Sequence, residues 1–260
     1  MIAEQSLRNR TLLTWYGEHR RGLPWRASTD PYPVLVSEVM LQQTQVSRVI
    51  PKFESFLEAF PTIGHLARAS TNDLLSEWSG LGYNSRALRL RDAARLIDSA
   101  GWPTTSTDLM QLPGVGRYTA AAVASISFGE PIAAVDTNLK RILSRWEGDA
   151  LDGSDLERVA ALSVDDDAGT WNQALMDLGS ALCTPREPRC GRCPVSTWCS
   201  DPSIYEPPAR QSTFEGSRRQ LRGAMVRASV NGGDPRKAGY ALDRTEDEIE
   251  SVLEDLEDEG

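Results

Sequence analysis

Nowhere in the 260 residues is there a run approaching the roughly 18–20 unbroken apolar positions that a bilayer-spanning helix needs. The opening segment, MIAEQSLRNR, has none of the apolar core of a secretion signal. A soluble protein of the cell interior is therefore expected, with no membrane partner. Histidine is scarce: His19 and His65 are the only two, and neither neighbours another candidate nucleophile or ligand. That argues against Ser-His-Asp hydrolysis and against a histidine-bound catalytic metal. Alternating apolar and polar positions, the mark of a half-buried strand, are almost missing. An excess of basic charge is missing too, for the net charge is −9.

That charge is concentrated in one place. Residues 243–260 hold ten acids and one base and carry all of it, so residues 1–242 are neutral overall. Local basic groups remain there: Arg86, Arg89, Arg91 and Arg95, and Lys140, Arg141 and Arg145. They fit solvated helix faces or contacts to nucleic acid equally well.

An apolar content of 40% can bury a proper core, and the spacing of these residues is helical almost throughout. Phe53, Phe56, Leu57 and Phe60 follow Pro51, which suits a first helical turn, and Leu90, Ala93, Ala94 and Ile97 follow a candidate cap at Ser85. Leu139, Ile142, Leu143 and Trp146 share the period, Ser154 with Glu157 spells a capping box, and Trp171, Leu175, Leu178 and Leu182 mark a further helix. The fold class read from this pattern is all-α. Pro202, Pro207 and Pro208 suggest a linker, with a boundary near 205–212. Beyond it come a basic run, a Gly-rich turn and the acidic tail, where Ile249, Leu253 and Leu256 fit a helix but a solvated tail fits as well.

The four cysteines, Cys183, Cys190, Cys193 and Cys199, fall within 17 residues as C-x6-C-x2-C-x5-C. Four thiolates on a metal centre explain this better than disulfides in an intracellular chain, and the spacing admits zinc or an iron-sulfur cluster. Arg186, Arg189 and Arg192 lie between them and would offer cations to phosphates.

Residues 112–120 read LPGVGRYTA. Gly114 and Gly116 around Val115 allow a tight turn whose backbone N–H groups face outward at a helix N-terminus, a phosphate site that reads no sequence. An ordinary inter-helix turn would look the same. Two carboxylates have equally plain explanations: Glu38 opens a largely apolar helix and complements its dipole, and Asp136 is a natural N-cap. Cleavage of a glycosidic bond would give them sharper work. A departing base needs a proton, and the oxocarbenium-like sugar needs a nearby negative charge. A Glu in an apolar helix suits the first role and a better-solvated Asp the second.

Taken together, LPWR (23–26), VSEVMLQQTQV (36–46), GLGYNSRA (80–87), LPGVGRYTA, AVDTNLKRIL (134–143), WNQALMDLG (171–179) and the cysteine loop resemble the MutY adenine DNA glycosylases, in that family's order. The resemblance implies an all-α, two-lobe helix-hairpin-helix fold over 1–205. A six-helix barrel lobe would span about 28–136, and a cluster lobe 1–27 plus 137–205, leaving 206–260 as linker and short C-terminal segment. It resolves the metal toward a [4Fe-4S] cluster. It implies that Glu38 protonates adenine, that Asp136 stabilises the sugar cation or attacks it transiently, that Tyr118 stands beside the sugar and that Asn138 orients Asp136. Related bifunctional enzymes carry a Schiff-base lysine where this chain has Tyr118, so base removal without strand cleavage is implied. Arg26, Leu41 and Gln173 match adenine-pocket positions. Gln43 fills the helix gap, Tyr83 wedges beside the orphan purine, and Gln42, Thr44 and Leu81 lie in the same DNA-contacting strings, as do Gly114, Val115 and Gly116 of the hairpin. Such insertion offsets the cost of unstacking.

The implied partner is double-stranded DNA with A:8-oxoguanine or A:G mispairs, met by a monomer in the cytoplasm at the nucleoid. The roughly 50 residues after the linker are few for the Nudix-like domain that typical members carry, which leaves selectivity for 8-oxoguanine open. A thymine or uracil mismatch glycosylase of the same superfamily is an alternative, as is a non-catalytic helix-hairpin-helix DNA-binding module.

Overall fold

Every regular element among the described residues of the computed structural model, which are 2–205, 207 and 213–258, is helical. Besides three short 3-10 turns at Pro24–Arg26, Cys190–Arg192 and Ser196–Trp198, the α-helices in chain order are α1 (Ile2–His19), α2 (Pro31–Leu41), α3 (Val46–Ala59), α4 (Ile63–Ala67), α5 (Thr71–Trp78), α6 (Ser85–Ala100) and α7 (Ser106–Leu109). They continue as α8 (Arg117–Phe128), α9 (Thr137–Glu147), α10 (Gly153–Ser163), α11 (Ala168–Ala181), α12 (Arg218–Val230), α13 (Pro235–Tyr240) and α14 (Glu246–Asp258). None of these is long and apolar enough to cross a membrane.

Local signals set most helix starts, with a few shifts from the sequence expectation. Pro51 is inside α3 rather than in its first turn, because the buried face of Phe53 and Phe56 extends back to Val49 and draws the helix start to Val46. At α10 the cap is Asp152, whose carboxylate accepts from Gly153 N, while Glu157 of the supposed capping box pairs with Arg117. The position preceding α6 is Asn84, and its side chain makes no cap bond.

The chain forms two compact units, one of Met1–Leu35, Pro103–Gln111 and Val115–Pro208, the other of Val36–Trp102, Leu112–Gly114 and Ala209–Gly260. In the first, one core joins Leu12 and Tyr16 of α1, the apolar stripe of α9, Val159 and Ala160 of α10, and Trp171, Leu175 and Leu178 of α11. Each of the larger side chains contributes about 1.5–3 kcal/mol by leaving water. Cys183, Cys193 and Cys199 pack at the edge of this core. The alanine-rich α8 approaches α11 so closely that a Cβ at Gly169 would stand 2.9 Å from the Ser125 carbonyl oxygen. Buried Asn172 then closes the gap: it donates to Ser125 Oγ and the Ile132 carbonyl and accepts from Ala134 N.

The second unit stacks α3, α4, α5 and α6, with Phe56 edge-on to Trp78. Residues 213–258 complete it, and the linker boundary read near 205–212 lies largely outside the described residues. Far from a solvated tail, residues 246–258 form α14, and Ile249 and Val252 pack on Leu221 and Met225 of α12. A Cβ at Gly239 would meet Ile249 at 2.6 Å, so α13 needs glycine there.

Candidate functional site

In the first unit, Asp136 caps α9. Its Oδ1 accepts from the backbone N–H groups of Asn138 and Leu139 at 2.9 and 2.8 Å, and its Oδ2 from Asn138 Nδ2 at 2.8 Å. The capping role read from sequence is thus real, and it leaves a half-buried carboxylate clamped by three donors. The 132–134 segment that delivers it is held by Asn172. Tyr118, in the first turn of α8, points its hydroxyl toward Met176 Sδ at 3.7 Å.

Two arginines that sequence reading placed among possible surface patches turn out to be internal cross-links. Arg141 donates to Asn138 Oδ1 at 2.9 Å, to the Gly179 carbonyl at 3.0 Å and to the Cys183 carbonyl at 2.9 Å. Arg145, 1% exposed, donates to Cys183 Sγ at 3.1 Å and to the carbonyls of Thr184, Pro185 and Ile204. A buried guanidinium must satisfy its N–H groups, and chain turns that expose carbonyls can do so. No sequence signal sets them apart, since α9 also carries Thr137, Asn138, Lys140, Ser144 and Glu147. By contrast Arg186, Arg189 and Arg192 are exposed.

The four cysteines line one pocket together with Arg145, Trp146, Leu178, Leu182 and Pro188. Burial pushes the Cys193 thiol up to about 11 and shifts that of Cys199 upward too. Among the described residues no three His, Cys, Asp or Glu groups gather tightly enough for a single metal ion.

Arg26 and Gln173 belong to a third cluster in this unit. Asp177 accepts a bidentate pair from Arg26 at 2.6 and 2.9 Å, plus Nε and backbone N of Arg21. Burial alone would raise the Asp177 carboxyl, but the bonds from Arg26 and Arg21 hold it below the usual carboxylate range. Tyr16 donates to Gln173 Oε1 at 2.8 Å, and the Arg26 guanidinium lies 5.7 Å from the Tyr16 ring. Asp177 was not picked out beforehand, although it stands in the quoted WNQALMDLG string.

In the second unit, Glu38 is 6% exposed in the apolar α2. Immediately after it, Leu41, Gln42 and Thr44 are partly buried and Gln43 is exposed. Their arrangement is governed by Arg86, which the sequence showed only as one of a local basic group. Arg86 donates to the carbonyls of Val39, Met40 and Gln42 with one terminal nitrogen, and to Thr44 Oγ1 and the carbonyls of Leu81 and Gly82 with the other. It thereby ties the end of α2 to the 80–84 loop. Burial lowers this guanidinium to about 10, so it stays charged at neutral pH. Among the described residues only Gln43, Tyr83 and Asp243 hold a positive φ without being glycine. Two of these three are residues expected to enter DNA, and strain of that kind marks functional loops. In the hairpin, Gly114 has φ +76 and lies against Arg89, where a Cβ would come within 2.9 Å. Val115 is buried, whereas Gly114 and Gly116 are exposed.

A family profile described as HhH-GPD superfamily base excision DNA repair protein matches residues 36–161. The chain is 41% identical over 227 residues to the adenine DNA glycosylase of Mycolicibacterium smegmatis, covering 83% of this chain and 78% of that protein. It is 42% identical over 217 residues to the human adenine DNA glycosylase, covering 76% of this chain but only 40% of the human one. Among solved structures, a thermostable thymine-DNA glycosylase superposes with a TM-score of 0.71 at 30% identity, over 76% of this chain and 96% of that one.

Proposed function

Since this chain belongs to the HhH-GPD superfamily of base excision DNA repair proteins, with adenine DNA glycosylases as its relatives, we propose that it is a monofunctional adenine DNA glycosylase acting on purine mispairs in duplex DNA. The observation that carries the reading is the alignment with an adenine DNA glycosylase over most of both chains.

Glu38 supplies a proton to a ring nitrogen of the extruded adenine. The C1′–N bond then breaks, and its electron pair leaves with the base. Asp136, its oxygens already fixed by three donors, faces the cationic sugar without reorganising, which is where electrostatic stabilisation is most effective. Water forms the new C1′–O bond and returns a proton to the Glu38 carboxylate. Tyr118 has no amine to form a Schiff base, so the product is an abasic site in an intact strand. Arg26 and Gln173 shape the adenine pocket, and Gln43 and Tyr83 enter the stack that the adenine vacates.

Cys183, Cys190, Cys193 and Cys199, which line one pocket with Leu178, Leu182 and Trp146, would hold the [4Fe-4S] cluster expected of the adenine DNA glycosylase relatives. When bound, the cluster supplies a charged, rigid cross-link. Arg145 and Arg141 tie the chain around it to α9, the helix that Asp136 caps.

Single-turnover excision on duplexes containing A:8-oxoguanine, A:G, T:G and U:G tests the activity. Adenine release from either of the first two is expected, together with loss of excision but retained DNA binding in Glu38→Gln. Release confined to T:G or U:G would instead favour the chemistry named for the thymine-DNA glycosylase neighbour.

A further inference from the structure

The Tyr83 hydroxyl is held by an element more than a hundred residues away in sequence: Arg219 Nη1, on α12, donates to it at 3.0 Å. At its root the same tyrosine is gripped by Arg86, whose Nε faces the Tyr83 carbonyl at 3.4 Å and whose guanidinium carbon lies 5.5 Å from the ring centre. Its backbone is strained into the left-handed region, with φ +49 after Gly82 at +72. Despite this double hold, Tyr83 is 38% exposed.

Arg219 is not carried on a loose tail. Two residues along α12, Leu221 is buried against α14, and Arg218 pairs with Asp255 at 2.6 Å. The same helix packs on α5, whose Trp78 Nε1 donates to the Gly82 carbonyl next to Tyr83. A partly exposed bond between a guanidinium and a phenol contributes little to folding, since water offers both groups nearly equivalent partners. What such a bond does decide is the aim of the ring, because a phenol tethered at its tip cannot sweep through its other rotamers.

We propose that Arg219 is a positioning residue for Tyr83, presetting the ring in the orientation in which it enters the duplex beside the purine left unpaired. The C-terminal helices α12–α14 thereby take part in recognising the lesion. The proposal rests on the reading that Tyr83 enters DNA. Ordering a side chain before binding removes an entropic cost that the encounter would otherwise carry, corresponding to about 3- to 10-fold in affinity.

Fluorescence anisotropy with the full chain tests it, using a duplex with a tetrahydrofuran abasic analogue opposite guanine and the undamaged duplex of the same sequence. Tyr83→Phe and Arg219→Met should each weaken abasic binding about 3- to 10-fold, with smaller losses on the undamaged duplex. The double variant should be no weaker than either single one, and Arg219→Lys should recover part of the loss. Unchanged abasic binding in Arg219→Met overturns the proposal. Equal losses on both duplexes, or additive losses in the double variant, also overturn it, because they describe an arginine that only meets phosphates. Should the wild-type chain bind the two duplexes equally, the reading of Tyr83 as a wedge fails and the proposal falls with it. Adenine release by the wild type is scored separately, so failure of the activity and failure of this coupling are distinguishable.

Discussion

Gly179 lies so close to Asn138 that a Cβ added to it would stand 2.8 Å from the Asn138 Cβ and 3.2 Å from its amide oxygen. Asn138 bonds Asp136 through its amide nitrogen and Arg141 through its amide oxygen, and Arg141 continues to the Cys183 carbonyl. Gly179→Ala therefore displaces the side chain that orients Asp136. We expect at least a tenfold slower single-turnover excision, for a stability loss of about 1–3 kcal/mol typical of overpacking. Excision kinetics beside a thermal melt checks this, and wild-type rates in a folded variant would refute it.

Arg86 gathers six acceptors from the end of α2 and the 80–84 loop through its two terminal nitrogens. Lysine keeps the charge but has one nitrogen and no planar fork, so several buried carbonyls lose their donor. Arg86→Lys should cost about 2–3 kcal/mol in urea unfolding, with the slope of the transition unchanged. A midpoint equal to that of the wild type would mean that water replaces the guanidinium without penalty.

Asp177 gives the first unit an acid-sensitive joint. Because its folded carboxyl titrates below the usual range, the stabilisation is complete above about pH 4, the value of an unfolded aspartate, and drains away as pH falls through the lower folded value. Asp177→Asn strands Arg26 and Arg21, and should cost roughly 3 kcal/mol at pH 7. The gap between variant and wild type should then narrow below pH 4. Tm measured from pH 7 down to pH 2 checks the sign, and a gap that widens on acidification would contradict it.

Arg145 places an N–H donor on Cys183 Sγ and closes the turns at 184, 185 and 204. Arg145→Met should leave carbonyls of the cysteine loop without donors and lower Tm; on the proposed cluster reading it should also lower iron content per chain and visible absorption. Full iron loading at wild-type stability would show that the thiols alone set the pocket.

Residue chemistry and spacing were sufficient for much of this description. The helical period located the cores of α9 and α11, because one face of each must leave water whatever packs on it. The cysteine spacing announced that the four thiols belong together, and they line one pocket; the neighbours of Asp136 announced a cap, because these are local properties of a few consecutive residues. The boundary errors at Pro51 and Ser154 arose where burial of Val49 or competition from Asp152 outweighed the local signal.

Other features required the chain to be folded. Nothing in a string tells a surface arginine from a buried one, since the difference lies in which carbonyls distant segments bring within reach. Arg86, Arg141 and Arg145 consequently passed for ordinary charges until packing surrounded them. The acidic tail was likewise ambiguous, because a short helix becomes stable only when a partner such as α12 covers its apolar face. The bond from Arg219 to Tyr83 joins residues 136 positions apart and is a product of that same packing.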